Sequence, residues 1–402
     1  MSKLLRAKMR RAGLAALVSA FGLSLLTSCG GGGGSAGTMP GSSGTLQLSL
    51  TDAPACGFEH VNVTVQKVRV HQSSTAADTD AGWSEIVLSP ALRVDLLTLR
   101  NGVLATLGTT ALPAGHYTQM RLVLAANAGA SPPANSVVPS GGTEVALTTP
   151  SGAQTGLKMN VDITVNADQL ADFVLDFDAC KSVVRAGASG QFLLRPVVTV
   201  VPRFVSGVRG SVDASIASGS TLVTLQQNGA VIKSTTPDST GMYLLQPVAP
   251  GTYDLVVTAS GRSTLVVTGV GVSSGVVTSI TSSTNWLNPP ASFSGTLTGS
   301  VFTGSTSIDA TVQATQALSM GHLITVAQGS VDASTGAYAY TLPTGAPLVA
   351  AYVAAPAQLS FMADGAVAGR YSLSASAAGA SKSAGPLSLS TGATLTTNFI
   401  FP

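Results

Sequence analysis

Asp172, Asp176 and Asp178 are spaced four and two residues apart in Asp172-Phe173-Val174-Leu175-Asp176-Phe177-Asp178. Side chains of an extended strand alternate between faces. The three carboxylates therefore share one side, and Phe173, Leu175 and Phe177 the other. Paired carboxylates can act as acid and base in hydrolysis. They fit equally well as the solvated outside of a sheet whose other face is core. Asp78 and Asp80, in Asp78-Thr79-Asp80-Ala81-Gly82, offer oxygens of the kind calcium takes, but the twelve-residue calcium loop is incomplete. A solvated loop is the default there. His60, His71, His116 and His322 are the four histidines, and none lies in H-E-x-x-H or a zinc-spaced cluster. His60 and His71 flank one strand and point to its opposite ends, and His116 precedes Tyr117 at a turn. Each reads as a surface or hydrogen-bonded structural group. No G-x-S-x-G elbow and no Walker loop occurs. No catalytic residue, metal ligand or cofactor is therefore expected. Of the two tryptophans, Trp83 beside Gly82 reads as core or sheet edge. Trp286, with Asn285 and Asn288 near it, is the better exposed ring and a possible ligand contact, since an exposed ring can stack on a sugar.

The elements that would position these groups are strands. Leu46, Leu48 and Leu50 alternate with Gln47 and Ser49. Thr51-Asp52-Ala53-Pro54 ends that strand with turn formers. Val61, Val63 and Val65 share one parity, and Val68 and Val70 the other, which predicts a bulge or strong twist near Gln66-Lys67. Met120, Leu122 and Leu124 alternate again. The clearest strand is Leu157 to Val165, with Leu157, Met159, Val161, Ile163 and Val165 inward. Only the stretch around Ala167 to Leu170 reads as a short helical turn. Charged residues are 9% of the chain, against about 25% in ordinary domains, while glycine reaches 44 residues. Abundant β-branched residues and glycine suit strands and turns. The fold class expected is all-β, in tandem β-sandwich modules.

Cys29 carries a different chemistry. Lys3, Arg6, Lys8, Arg10 and Arg11 precede an apolar stretch, Ala12 to Leu26, which is too short to span a bilayer, where roughly 20 apolar residues are needed. Leu26-Thr27-Ser28-Cys29 follows. This order resembles the lipobox of bacterial lipoproteins, which implies cleavage before Cys29 and acylation of its sulfur and new amino terminus. Residues 1–28 would then be a lipoprotein signal peptide. The alternative is an ordinary signal peptide that contains a cysteine. Lipoproteins of the inner membrane often carry Asp after the cysteine. Gly30 stands here, so the resemblance favours the outer membrane, with the protein lipid-anchored and periplasmic or surface-exposed. Two or more acyl chains give stable anchoring. Residues 29–44, rich in Gly and Ser, read as a flexible tether spanning roughly 20 Å. Five of the 20 Lys and Arg lie in the signal and none of the 18 acids do, which leaves 15 bases and a mature net charge of about −3. That balance gives no electrostatic case for nucleic acid. The remaining thiols, Cys56 and Cys180, would be a disulfide pair in an oxidising compartment, or two buried free thiols. In the chain-entropy account such a bridge contributes roughly 4 kcal/mol.

Residues 45–203 carry a family resemblance. Leu48-Ser49-Leu50-Thr51-Asp52-Ala53-Pro54, Val61 to Val65 and Val68-Arg69-Val70-His71 open it. Leu112-Pro113-Ala114-Gly115-His116-Tyr117, Arg121-Leu122 and Asp172 to Asp178 continue it in order. These resemble the lipoprotein domain of unknown function 4382, which implies export but no catalytic residue. Residues 206–283 resemble the carboxypeptidase regulatory-like domain, a prealbumin-type β-sandwich. The motifs are Gly207-Val208-Arg209-Gly210-Ser211-Val212, Asp238 to Tyr243, and Val248-Ala249-Pro250-Gly251-Thr252-Tyr253-Asp254-Leu255. Relatives of that domain group with starch-binding-like folds, which implies a possible carbohydrate ligand. Residues 291–402 look like a degenerate echo, a second β-sandwich. Val331 to Tyr338 parallels Asp238 to Tyr243, and Val367 to Leu373 parallels Val248 to Leu255. Asn285 to Pro290 reads as the linker. Gly-x-Tyr recurs at Gly115/Tyr117, Gly251/Tyr253 and Gly369/Tyr371 as a turn feeding a strand.

These readings combine into a non-catalytic, lipid-anchored cell-envelope protein, a structural or interaction scaffold. Its partners would be the membrane, through the N-terminal lipid, and a cell-envelope protein or polysaccharide. The alternative is a carbohydrate-binding envelope protein acting through residues 206–283. A hydrolase finds no supporting constellation.

Overall fold

Why the apolar residues of this chain come both alternating and in unbroken runs is explained by how its sheets stack. The computed structural model describes residues 42–52, 57–129, 131–149, 155–281, 286–304, 306–354 and 357–402. The expected signal peptide, Cys29 and Cys56 lie outside these residues, as does the tether apart from its last residues. In the first segment the strands are β1 (Ser43–Asp52), β2 (Phe58–His71), β3 (Ser84–Asp95), β4 (Ala105–Pro113), β5 (Gly115–Leu124), β6 (Ser136–Pro139), β7 (Val145–Thr148), β8 (Leu157–Val165) and β9 (Leu170–Phe177). A short helix α1 (Ala179–Ser182) follows, then β10 (Val183–Ala186), β11 (Gln191–Leu194) and β12 (Val198–Pro202). The second segment holds β13 (Gly207–Ser211), β14 (Leu222–Gln227), β15 (Ala230–Thr235), β16 (Met242–Leu245), β17 (Gly251–Thr258), β18 (Leu265–Val272) and β19 (Val277–Ser279). The third holds β20 (Ser294–Thr303), β21 (Thr306–Ser307), β22 (Thr311–Ala317), β23 (Leu323–Ser330), β24 (Ala337–Pro343) and β25 (Leu348–Ala351). It ends with β26 (Met362–Ala363), β27 (Arg370–Ala377), β28 (Ala380–Ser388), β29 (Thr394–Thr396) and β30 (Phe399–Phe401). The fold is all-β. Among the described residues no helix is long and apolar enough to cross a membrane.

In the first segment a sheet ordered β12-β9-β1-β4 and a sheet ordered β10-β11-β7-β6-β2-β5-β8, with β3 paired to β2, close over one core. Leu46, Leu48 and Leu50 face it, as do Val61, Val63, Val65, Val68 and Val70. Both valine sets point inward because the β2 ladder slips between Val65 and Lys67, where the change of parity predicts a bulge. β8 spans the expected Leu157 to Val165 and buries Met159, Ile163 and Val165. The expected helical turn at Ala167 to Leu170 is instead a tight non-helical turn, with Asp168 at φ 56 and Leu170 already in β9. Helix forms at Ala179–Ser182, where Asp178 supplies the N-cap by accepting from the Lys181 amide.

The second segment has two sheets, β16-β13-β19 and β15-β14-β17-β18, and the third segment's β25 and β26 extend the latter. β25 lies parallel to β18, from Leu265 opposite Leu348 to Thr268 opposite Ala351. This sheet is covered on both faces. Leu255, Val257, Leu265 and Val267 enter the second segment's core, while Val256 and Val266 enter the third's. Burial of both faces accounts for the unbroken apolar runs Leu255-Val256-Val257 and Leu265-Val266-Val267. The third segment completes its own sandwich with β23-β22-β27-β28 against β20, β24 and their neighbours.

Residues 206–287 and 294–401 share a set of matching backbone contacts. Gly210 pairs with Tyr243 as Gly299 pairs with Tyr338. Val212 N donates to Gly241 O, and Val301 N to Gly336 O, both at 2.9 Å. Ser211 N donates to Thr281 Oγ1, and Ser300 N to Asn398 Oδ1, again at 2.9 Å. Gly241 (φ 86) and Gly336 (φ 65) close the matching turns, each under an aspartate that accepts from the loop amides. One difference stands out. Asn398 runs directly into Phe399, whereas Thr281 and Leu287 are separated by residues 282–286, which end in Trp286.

Candidate functional site

The outward face of the β16-β13-β19 sheet is built by alternation on three short strands. Val208 and Val212 of β13 point into the core, which turns Arg209 and Ser211 outward. Antiparallel pairing sets Met242 beside Ser211 and Leu244 beside Arg209, and parallel pairing sets Ser279 on the other flank of Arg209. Leu287 docks beside Val212 and leaves the preceding Trp286 over the end of the face. Arg209, Ser211, Thr240, Met242, Ser279, Thr281 and Trp286 line a groove of about 420 Å³. Trp286 is 54% exposed and Met242 59%. Ser211 Oγ and Thr281 Oγ1 share a hydrogen bond of 3.0 Å across the groove floor. Beneath it, burial pushes the Tyr243 hydroxyl well up, and that hydroxyl has no partner among the described residues. Its counterpart Tyr338 donates to Thr397 O at 2.6 Å.

The groups singled out for acid–base or metal chemistry are engaged elsewhere. Asp172 accepts from Arg203 at 3.3 Å and Asp176 from Lys233 at 2.8 Å. Asp178 leaves the strand face to cap α1 and pairs with Lys181 at 2.8 Å. The aspartate side of β9 is not simply solvated. Val174 is fully buried there, and Lys233 of the second segment, 5% exposed, reaches Asp176. His60 pairs with Asp95 at 2.6 Å, His116 with Asp162 at 2.6 Å and His322 with Asp254 at 2.8 Å. His71 contacts Ala81 O at 3.0 Å. Asp78 is held by Arg69 and Arg121. Trp83 lies under both guanidinium groups, 4.6 and 5.0 Å from its centroid, and donates to Ala77 O at 2.9 Å. Its ring fastens the 72–83 loop to the sheet. Each Gly-x-Tyr tyrosine is buried. Tyr117 and Tyr253 donate to the carbonyls of Pro113 and Ala249, four residues back, at 2.9 Å.

Cys180 sits on α1 and lines a cavity of about 290 Å³ where the three segments meet. Gly57, Asp178, Ser234, Thr325 and Tyr340 also line it. Cys56, the expected partner of Cys180, lies outside the described residues. Asp52 bridges the same region, with Oδ1 accepting from Ala179 N at 3.0 Å.

Residues 43–196 match the model of a family described as Domain of unknown function (DUF4382). No curated protein matches the chain. Among solved structures the Bacillus anthracis TIE protein is 12% identical, with a TM-score of 0.17, over 90% of this chain and 51% of its own. The pilus adhesin SpaC of Lactobacillus rhamnosus GG is 12% identical (TM-score 0.15), over 89% of this chain and 43% of its own. The Corynebacterium diphtheriae major pilin SpaA is 11% identical (TM-score 0.18), over 89% and 99%. This chain thus spans about half or less of the first two. At these scores none of the three bears on its fold or function.

Proposed function

We propose that this chain is a lipid-anchored, non-catalytic envelope protein, a platform of three β-modules at residues 45–203, 206–283 and 291–402. The observation that carries the reading is the order of basic residues, short apolar stretch, Leu26-Thr27-Ser28-Cys29 and Gly/Ser-rich tether. Acylation at Cys29 would hold it at the outer membrane, periplasmic or surface-exposed. Further support comes from the ion pairs that engage Asp172, Asp176, Asp178, His60, His116 and His322. The segments are joined for rigidity. Gln226 donates to Thr325 O at 2.8 Å and accepts from Thr325 N at 2.7 Å, and Arg195 pairs with Asp309 at 2.6 Å. Asn101 Oδ1 accepts from Thr235 Oγ1 at 2.8 Å and Leu244 N at 3.2 Å. Substituting Cys29→Ala tests the anchor. The variant should leave the membrane fraction, and its retention there contradicts the reading.

A Cys56–Cys180 disulfide belongs to the same proposal. Gly57, next in sequence to Cys56, lines the cavity that Cys180 lines. Alkylation of the denatured, unreduced protein should label neither thiol. Labelling of both would remove the bridge.

A second reading, carbohydrate binding through the second module, is favoured by the exposed Trp286 over a hydroxyl-lined groove. Retention of the full-length protein on a polysaccharide panel tests it.

A further inference from the structure

The internal repeat supplies its own control for the groove. Register places Thr298 where Arg209 stands, Ser300 where Ser211 stands, Ala337 where Met242 stands, and Thr396 where Ser279 stands. The third module has no residue equivalent to Trp286. Its corresponding face carries small residues, and Thr298, Ala337 and Ala339 border a cleft shared with Phe58, Pro139 and Phe192 of the first module. In the second module only Leu244 is covered, by Gly102 of the 100–103 loop. One scaffold thus carries a face of small residues in the third module and a face bearing tryptophan, methionine and arginine in the second. Among the described residues no carboxylate pairs with Arg209.

We propose that this open face binds a saccharide bearing a carboxylate, with Trp286 and Met242 under the C–H face of a sugar ring and Arg209 paired with the acid. The inference rests on the carbohydrate reading above and names the class within it. An aromatic ring stacks on an apolar sugar face, and a guanidinium fork matches a carboxylate in two parallel hydrogen bonds. Ser211, Ser279 and Thr281 keep free lone pairs for the hydroxyl rim of a ring. A neutral glucan would leave Arg209 without a partner. An extended acidic peptide would need a strand edge or side-chain pockets for its specificity, and these residues form an open sheet face instead.

The test is affinity electrophoresis of the full-length protein through gels containing polygalacturonate or alginate, and in parallel amylose or cellulose derivatives. The inference expects retardation by the acidic polymers and little by the neutral ones. Trp286→Ala and Arg209→Gln should each weaken it by about tenfold without lowering the thermal midpoint. Equal retardation by neutral and acidic polymers, or an unaffected Arg209→Gln, overturns the acidic class and leaves the carbohydrate reading standing. No retardation by any polymer overturns both. Retardation abolished by polyglutamate but not by galacturonate oligomers assigns the face to an acidic peptide and overturns the inference.

Discussion

Asp52 is a buried carboxyl, 1% exposed, with Oδ2 unpartnered among the described residues. Burial raises its pKa well above the usual range. Nearby Asp178 and Asp176 add to this, while the Ala179 amide and Lys233 oppose it. The folded state therefore holds a proton that the unfolded chain releases above about pH 3.9. Stability falls as pH rises from that value toward the folded pKa. Asp52→Asn removes this titration and keeps an acceptor for the Ala179 amide. Its urea midpoint should exceed the wild-type value at pH 7, and the two should converge near pH 4, about the unfolded pKa. A more stable wild type at pH 7 would contradict the account. Asp332 works in the opposite sense. Burial pushes its carboxyl up, but hydrogen bonds from Thr335, Ser334 and Gly187 outweigh this and hold it low. That contribution is present above the unfolded pKa and fades as pH falls through the folded one.

At the scale of elements, the matched turns show what glycine does in this chain. A Cβ on Gly336 would lie 2.2 Å from Val301 O, and one on Gly241 2.2 Å from Val212 O. Gly304 shares the left-handed backbone (φ 57) but faces open space. Ala at Gly304 should cost about 1–2 kcal/mol from backbone strain alone. Gly241→Ala and Gly336→Ala should each cost clearly more, because the strand pairing must also shift. Equal losses at all three positions in thermal unfolding would contradict this. Tyr117→Phe and Tyr253→Phe should each lose about 1 kcal/mol with the corner hydrogen bond. The alternation of β1, β2, β5 and β8 is legible in the sequence because apolar residues alternate toward the core, and in β2 the parity switches at the bulge after Val65, as the sequence implies. α1 is not legible. Four residues carry no helical period, and only the Asp178 cap signals it. Nor is the groove, apart from Trp286. Arg209 and Met242 join it through strand register, which local pattern does not contain. The repeat of Gly210-Ser211-Val212 in Gly299-Ser300-Val301 was the signal that could have exposed it.

At the scale of the molecule, the modules do not stand apart. β25 of the third module completes a sheet of the second, and Gln226 bridges them in both directions. Differential scanning calorimetry of the full-length protein should therefore show one cooperative transition. Gln226→Ala should lower stability by about 2 kcal/mol, since it strands buried backbone groups of Thr325. Three separate transitions would contradict the welded arrangement. Such joining was hidden in the sequence because β25 lies some eighty residues from its partner. Rigidity suits the proposed membrane-tethered platform, and that proposal turns on Cys29. The most direct measurement is the intact mass of the N-terminal peptide of membrane-extracted protein. The account predicts a chain beginning at Cys29 and carrying acyl groups on its sulfur. An unmodified Cys29, or a chain still starting at Met1, would contradict it.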